Sequence, residues 1–148
     1  MAKREAKKAY NTNLAAEFHM MSLLHRAGLD PSLSLGNKKG VDIVIYREGR
    51  VADIVEVKGV AERMDWLIGG TGELPSAPNL YYALVCFNRQ IMDLTLPPDF
   101  WLIPSKLLAR KGEHAVAGNE KTVFLRNAHI RKSYEGFKNT LTGLGSVL

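Results

Sequence analysis

The sequence predicts a single domain of mixed α/β class, in which helices flank a mixed β-sheet, and three observations lead to that prediction. Residues from about Asn13 to Ala27 carry apolar side chains at helical spacing, and residues 40–59 are two β-branched runs around a polar turn. Residues 80–87 (LYYALVCF) are almost wholly apolar, which is typical of a central strand covered on both faces. The predicted order is a helix, three strands, a short helix, two strands and further helices.

Composition excludes several classes of protein. The chain has 148 residues, of which 46% are hydrophobic and 24% charged, as expected of one folded domain with its own core. No apolar run approaches the ~18 residues of a membrane span, and the charged start has no signal-peptide pattern. The single cysteine, Cys86, excludes a disulfide framework and suits a reducing cytoplasm, where we expect the protein to act. The net charge of +5 is compatible with a polyanionic partner.

The first helix is predicted from an apolar stripe with Asn13 as its N-cap and Gly28 after its end; the stripe consists of Leu14, Phe18, Met21 and Leu24. Glu17 shares that stripe, so it either faces a site over the sheet or reaches water from the stripe's edge. Residues 1–9 are rich in Lys and Arg and form either a basic arm for phosphates or a solvated, partly helical start.

Charged residues interrupt the apolar hairpin of residues 40–59 (GVDIVIYREGRVADIVEVKG). Asp42 lies near its start, while Glu56 and Lys58 lie near its end and point to the same side of the strand. Charges are costly inside a buried hairpin, so these three need partners, and a divalent metal would be one.

The length of the turn decides whether the carboxylates meet. A two-residue loop at Glu48-Gly49 would pair Asp42 with Val55 and place Asp42 and Glu56 on opposite faces. A three-residue loop with Gly49 as a bulge places both on one face. We predict the odd-numbered loop, because it gathers the charges in one place and leaves the core to Val41, Ile43, Ile45, Val55 and Val57.

Asp42, followed after thirteen residues by Glu56-Val57-Lys58 at a strand end, resembles the signature of the PD-(D/E)XK nuclease superfamily. That superfamily includes restriction endonucleases and Holliday-junction resolvases. Val41 stands where the family name has proline. The resemblance implies a restriction-endonuclease-like αβββαβ core within one domain of residues 1–148, and metal-dependent hydrolysis of phosphodiester bonds in DNA. A homodimer is expected by analogy with compact nucleases that make two cuts.

The resemblance also implies roles for individual residues. Asp42, Glu56 and the main-chain carbonyl of Val57 would hold Mg²⁺ or Mn²⁺, with Glu17 as a further ligand directly or through water. Lys58 would orient the attacking water or stabilise developing negative charge. Two alternatives remain: a catalytically inactive module of the same fold that binds nucleic acid or protein, and a purely structural ion-pair network.

Other residues are assigned more weakly. Lys38 and Lys39, in the turn before Asp42, and Arg63, after Lys58, are candidate nucleic-acid contacts, although a solvated basic turn explains the lysines equally well. Residues 60–68 are predicted to be a helix in which Trp66 packs in the core rather than against a base. His114 and His129 have no partner at ligand spacing and receive no role.

The remaining elements are predicted from shorter signals. A first strand is expected at Ser32–Leu35, a fifth at Phe100–Ile103, and a short helix at Ser105–Arg110 capped by Ser105. Residues 121–125 are either a further strand or the approach to a last helix. That last helix is predicted around Tyr134, Phe137 and Leu141.

Overall fold

The computed structural model describes residues 2–34, 42–69, 72–118 and 121–145, and residues 2–10 only by their backbone. The helices are α1 (Ala2–Arg26), α2 (Ser105–Leu108) and α3 (Asn127–Ser133), with 3₁₀ turns at Glu135–Phe137 and Thr142–Leu144. The strands are β1 (Asp30–Leu33), β2 (Ile43–Tyr46), β3 (Asp53–Val60), β4 (Trp66–Gly69), β5 (Leu80–Cys86), β6 (Asp99–Pro104), β7 (Ala115–Val116) and β8 (Val123–Leu125).

The main sheet has five strands in the order β1-β2-β3-β5-β6. All neighbours are antiparallel except β3 and β5, which run parallel, so the predicted mixed sheet is confirmed. A second sheet has the order β4-β8-β7. Because β3 lies in the middle of the main sheet, its two faces belong to two different layers.

The two faces of the main sheet are covered by different elements. Helix α1 packs on one face through Ala16, Met20 and Leu24, against Ile43, Ile45, Val55 and Val57 of the hairpin. The other face carries Tyr82, Leu84 and Cys86 of β5 and packs against the second sheet and helices α2 and α3. All residues of β5 from 81 to 86 are buried, which confirms the prediction of a central strand covered on both sides.

Helix α1 differs from the prediction in its start and in its buried face. It begins at Ala2, so Asn13 is inside the helix and is not an N-cap. The buried stripe is Thr12, Ala16, Met20 and Leu24, whereas the predicted stripe residue Phe18 is 59% exposed. The buried stripe repeats every four residues and begins with a polar and a small side chain, Thr12 and Ala16, which hydrophobicity alone did not single out.

The predicted helix at residues 60–68 is wrong, because this segment is the end of β3, a bend and strand β4. Trp66 and Ile68 are buried and Leu67 between them is exposed, which is the period of a strand. The segment pairs with β8, nearly sixty residues further along the chain. Trp66 is 1% exposed and donates its indole N–H to the Val85 carbonyl, so its predicted place in the core is confirmed.

The C-terminal third follows the prediction in part. Strand β6, helix α2 and strand β8 lie where they were expected, but Ser105 does not cap α2; its hydroxyl donates to the Ala77 carbonyl instead. The last helix, α3, precedes the predicted position, and residues 135–144 form the two 3₁₀ turns. At Gly143 the main chain lies against the Leu102 carbonyl oxygen, where a side chain would not fit.

No helix in the described ranges is both long enough and apolar enough to cross a membrane.

Candidate functional site

The turn of the β2–β3 hairpin has the odd length that the sequence predicts. Ile43 lies opposite Val55 and Ile45 opposite Asp53. When this register is continued toward the turn, Glu48, Gly49 and Arg50 remain unpaired as a three-residue loop. Gly49 has a φ of 73°, a left-handed conformation that favours glycine. The buried hairpin residues are Ile43, Ile45, Val55 and Val57, as predicted; Val41 lies outside the described residues.

At the other end, the pairing stops at Ile43 and Val55, and the Asp42 N–H donates to the Val55 carbonyl at 3.3 Å. Asp42 Oδ2 accepts a hydrogen bond of 2.7 Å from the main-chain N–H of Val57. Asp42 is therefore attached to the residue between Glu56 and Lys58, and the three positions of the signature meet at one end of the hairpin.

Glu56 and Lys58 form an ion pair within β3. Their Oε1 and Nζ atoms are 3.1 Å apart, and the Glu56 side chain is only 7% exposed while that of Lys58 is 30% exposed. The pair thus joins a buried carboxylate to an ammonium group that reaches the surface. Lys58 is in a position to meet a ligand from solvent.

Helix α1 brings Glu17 to the same end of the hairpin. The helix lies directly on β3 at Gly59, where an added Cβ would come within 2.8 Å of Ala16 Cβ and 3.1 Å of the Thr12 carbonyl oxygen. Asn13 accepts a 3.3 Å hydrogen bond from the Gly59 N–H. Burial raises the pKa of Glu17, the negative charge of Asp42 raises it further, and Lys58 lowers it. Glu17 therefore shares the electrostatic environment of Asp42 and Lys58.

The two hairpin carboxyl groups are also harder to ionise than usual. Burial raises the pKa of Asp42, against the hydrogen bond from Val57 and the charge of Lys58. Burial raises the pKa of Glu56 as well; Lys58 opposes this by charge and hydrogen bond, and Asp42 adds to it. Lys58 is thus the cation that opposes the raised pKa of all three carboxyl groups. If all three were ionised, these four side chains together would carry a net charge of two negative units.

Asp53, a further charged residue of the hairpin, differs from the site carboxylates because it has two arginine partners. The sequence pattern did not single it out. Its side chain is fully buried, and its Oδ2 accepts from Arg47 Nε at 2.8 Å and from Arg50 Nη2 at 3.1 Å. The turn residues Arg47 and Arg50 are therefore the partners of a structural carboxylate. The spacing of six and three residues across a tight turn was the signal available in the sequence.

The side chains of this site fit a hard divalent cation by donor chemistry. Among the described residues, no group of three or more His, Cys, Asp or Glu side chains is close enough to hold a metal. Asp42, Glu56 and the Val57 carbonyl are a smaller set of oxygen donors. Such a set suits Mg²⁺, which keeps several of its waters and is usually held by one or two carboxylates.

The weaker candidates lie elsewhere. Lys38 and Lys39 fall outside the described residues. Arg63 is exposed, and its Nε donates to Asn88 Oδ1 at 3.2 Å, beyond the end of β3. Arg63 is therefore at the same edge of the sheet as Lys58 but in a separate hydrogen-bonded group.

A groove beside Lys58 was not foreseen. It has a volume of about 420 Å³, and its lining includes Thr12, Gly59, Met64 and Leu67. Met64 is 55% and Leu67 64% exposed, so part of its wall is apolar and open to solvent. The alternation around Leu67 would have indicated an outward-facing residue had the segment been taken as a strand.

The histidines that received no role do have local partners. His129 Nε2 lies 2.7 Å from Glu113 Oε2, which also accepts from the Tyr134 hydroxyl at 2.8 Å. His114 Nδ1 lies 2.8 Å from the Leu108 carbonyl oxygen. The His129 contact joins α3 to the segment after α2, and the His114 contact joins that segment to the end of α2; chain spacing alone did not indicate either.

A scan of protein-family models, a search of curated protein sequences and a search of solved structures each found no match to this chain.

Proposed function

We propose that this protein is a Mg²⁺- or Mn²⁺-dependent nuclease that hydrolyses phosphodiester bonds in DNA, as a member of the PD-(D/E)XK superfamily. The observation that carries the proposal is that Asp42, Glu56 and Lys58 meet at one end of the hairpin. Glu17 is close enough for the charges of Asp42 and Lys58 to shift its pKa. Their excess of negative charge favours a divalent cation. The open groove beside Lys58 offers room for a substrate strand.

In this proposal each residue has a distinct task. Asp42, Glu56 and the Val57 carbonyl would hold the cation, with Glu17 as a further ligand directly or through water. A bound cation would polarise the scissile phosphate and acidify a water molecule. Lys58, fixed by its 3.1 Å pair with Glu56, donates to the attacking water or to the non-bridging oxygen that gains charge.

The contrast with Asp53 argues against a purely structural network. Asp53 is buried and has two guanidinium partners, whereas the three carboxyl groups of the site share a single lysine among the residues that the structure describes. A structural network would be expected to compensate its own charges, as the Asp53 cluster does.

A second candidate is a catalytically inactive nucleic-acid- or protein-binding module of the same fold. It is favoured by the hydrogen bond between Asp42 Oδ2 and Val57 and by the ion pair of Glu56 with Lys58, which already engage these side chains. The lack of a three-ligand group among the described side chains favours it too. Cleavage separates the two candidates.

The test is a cleavage assay with Mg²⁺ or Mn²⁺ on supercoiled plasmid, linear duplex and four-way-junction DNA. We expect metal-dependent cutting that falls at least ~10²-fold in Lys58→Ala and in Asp42→Asn. Lys132→Ala and Glu135→Gln, at exposed positions on the C-terminal side of the fold, are matched controls and should retain wild-type rates.

Equal rates in wild type and in Lys58→Ala would contradict the proposal, because the activity would not depend on the site. Binding of DNA without any cutting would favour the inactive module. We further propose a homodimer, by analogy with nucleases that make two cuts, and a cytoplasmic location, since the only cysteine suits a reducing compartment. Sedimentation of the purified chain and imaging of a tagged chain test these two points.

A further inference from the structure

The loop between β5 and β6 (residues 87–98) leaves the sheet beside the candidate site. Lys58 is paired in parallel with Leu84, and Val60 with Cys86, so β3 and β5 end at the same edge. The loop then bonds to the chain that follows Lys58: the Phe87 N–H donates to the Val60 carbonyl at 2.9 Å and the Arg89 N–H to the Ala61 carbonyl at 2.7 Å.

The base of this loop is held in an unusual backbone conformation. Asn88 and Arg89 have φ values of 53° and 64°, a left-handed region that residues other than glycine rarely adopt in succession. Asn88 Oδ1 accepts from Arg131 at 2.8 Å and from Arg63 at 3.2 Å, and Asn88 Nδ2 donates to Asp99 at 2.9 Å. Strain of this kind persists only where the surroundings enforce it, and it clusters at functional sites.

The tip of the loop presents bare apolar side chains to solvent. Met92 is 87% and Leu94 is 94% exposed, the highest values among the large apolar side chains that the structure describes. Between them, Asp93 accepts from the Thr95 N–H at 3.0 Å and from the Thr95 hydroxyl at 2.6 Å, which closes a local turn. Leu96 adds a third side chain at 43% exposure. Several large apolar side chains exposed on one short loop indicate a contact surface.

We propose that this tip is a wedge that inserts Met92 and Leu94 into the base stack of DNA next to the phosphate held at Lys58. This inference rests on the proposed nuclease function and deepens it by naming the substrate class. Met and Leu are among the side chains that proteins insert between base steps. Unstacking costs least where the stack is already interrupted, so the substrate would be branched, mismatched or partly unpaired DNA.

Charge and size both favour DNA over a protein partner. Arg63 and Arg89 flank the base of the loop, and the Arg89 side chain is 78% exposed although it pairs with Glu62 at 3.4 Å. In the proposed complex, these cations at the base of the loop would contact phosphates next to the inserted wedge. A stable protein interface takes about 20–30 residues from each partner, whereas the tip offers three apolar side chains.

The experiment uses a four-way junction and a linear duplex of the same sequence, each with 2-aminopurine at one position, in Ca²⁺ so that binding is measured without cutting. We expect the wild type to prefer the junction by at least about tenfold and to raise 2-aminopurine fluorescence at the branch. The variant Met92→Gln/Leu94→Gln should lose the fluorescence rise and most of that preference, while its affinity for the linear duplex stays unchanged.

The control is Val51→Gln, which changes an apolar residue of 72% exposure at the opposite end of β3 and should behave like the wild type. Thermal melts of both variants check folding. Equal affinity for junction and duplex, or a double variant that keeps the fluorescence rise, would overturn the wedge. A double variant that only converts a dimer to a monomer would also overturn it, since the tip would then be a protein interface.

The outcomes separate the wedge from the nuclease function. Unstacking at the branch without metal-dependent cutting would contradict the nuclease proposal but would support the wedge. Cutting that depends on Lys58 but shows no unstacking would sink the wedge alone. Failure to bind any DNA would overturn both.

Discussion

At the scale of single residues, the candidate site is built from carboxyl groups whose charge the described side chains do not fully neutralise. Burial raises the pKa of Glu17, Asp42 and Glu56, and Lys58 only partly opposes this for each of them. A carboxyl group with a raised pKa in the folded state binds its proton more tightly there than in the unfolded chain. Its ionisation therefore lowers the stability of the fold, a cost that is absent at low pH and appears as the pH rises through the raised pKa.

Because ionisation of these carboxyl groups lowers the stability of the fold, the substitution Asp42→Asn should raise it. The amide keeps an oxygen that accepts the hydrogen bond from Val57 but carries no charge. Without added metal at pH 8, we expect the variant to melt above the wild type, because it lacks the carboxyl whose ionisation burial disfavours. The gain should shrink as the pH falls below the raised pKa, because the wild-type carboxyl is then neutral as well.

The measurement is a series of melts from pH 8 to pH 4 in EDTA, with Glu135→Gln as the control. Glu135 is an exposed carboxylate outside the site, so its loss should leave the melting temperature unchanged at every pH. A loss of stability in Asp42→Asn at pH 8 would contradict the prediction. A more stable but inactive variant is the usual sign of a residue kept for function.

Residue positions near the turn were predictable because local geometry decides them. The three-residue loop follows from a glycine at the correct place and from the need to put Asp42 and Glu56 on one face. The partners of Asp53 were not predicted although Arg47 and Arg50 are close in sequence, because the pattern of the turn indicates its backbone conformation and not which side chains pair across it. Contacts such as that of His129 with Glu113 depend on the path of the whole chain.

At the scale of elements, the site depends on how closely α1 approaches β3. Gly59 follows Lys58 directly, and Ala16 precedes Glu17, so this contact lies one residue from two of the candidate site residues. The lack of a side chain at Gly59 lets the helix rest on the strand. The helix, through this contact, sets the distance of Glu17 from Lys58.

We therefore predict that Gly59→Ala moves α1 outward. The added Cβ would meet Ala16 Cβ at 2.8 Å, closer than real Cβ atoms come, so helix or strand must shift. Overpacking of this kind costs about 1–3 kcal/mol, which urea denaturation would measure. Nuclease activity should fall as well, because Glu17 moves with the helix.

The matched control is Gly69→Ala, also in a strand, where an added Cβ meets nothing within 4 Å. It should be close to neutral. Adding Ala16→Gly to Gly59→Ala should recover part of the lost stability and activity, since it removes one of the two clashing groups. Independent effects of the two changes would show that the contact does not set the position of the helix.

Elements were predictable where their own pattern is complete. Strands β5 and β6 are continuous apolar runs and lie where the sequence indicates them. Strand β4 was mistaken for a helix because it is four residues long and is defined by its pairing with β8, far along the chain. The buried face of α1 was misplaced for a similar reason: Thr12 and Ala16 are buried because β3 presents a glycine to them.

At the scale of the whole molecule, the two faces of β3 contact two different layers of the fold. Val55 and Val57 pack under α1, while the alternate residues of the strand face the layer of the second sheet, where Tyr82 is the neighbour of Glu56 across the sheet. Burial and the charge of Glu56 raise the pKa of Tyr82, whose hydroxyl donates to the Pro75 carbonyl. Glu56 is therefore buried against the core, while Lys58, its ion-pair partner, lines the open groove.

This arrangement predicts that a divalent cation stabilises the whole fold. A ligand that binds only the folded state raises the free energy of unfolding by RT ln(1 + [L]/Kd), about 2.7 kcal/mol at a hundred times Kd. We expect the melting temperature of the wild type to rise with Mn²⁺ or Mg²⁺ concentration up to about 10 mM and to return to its starting value in EDTA. The same titration on Glu56→Gln should give little change, whereas Glu135→Gln should match the wild type.

Since metal relieves the same repulsion that Asp42→Asn removes, that variant should melt above the wild type without metal and lose its advantage at saturating Mn²⁺. A wild-type melt that millimolar Mn²⁺ leaves unmoved would count against a metal at this site, and with it against hydrolysis by this chain.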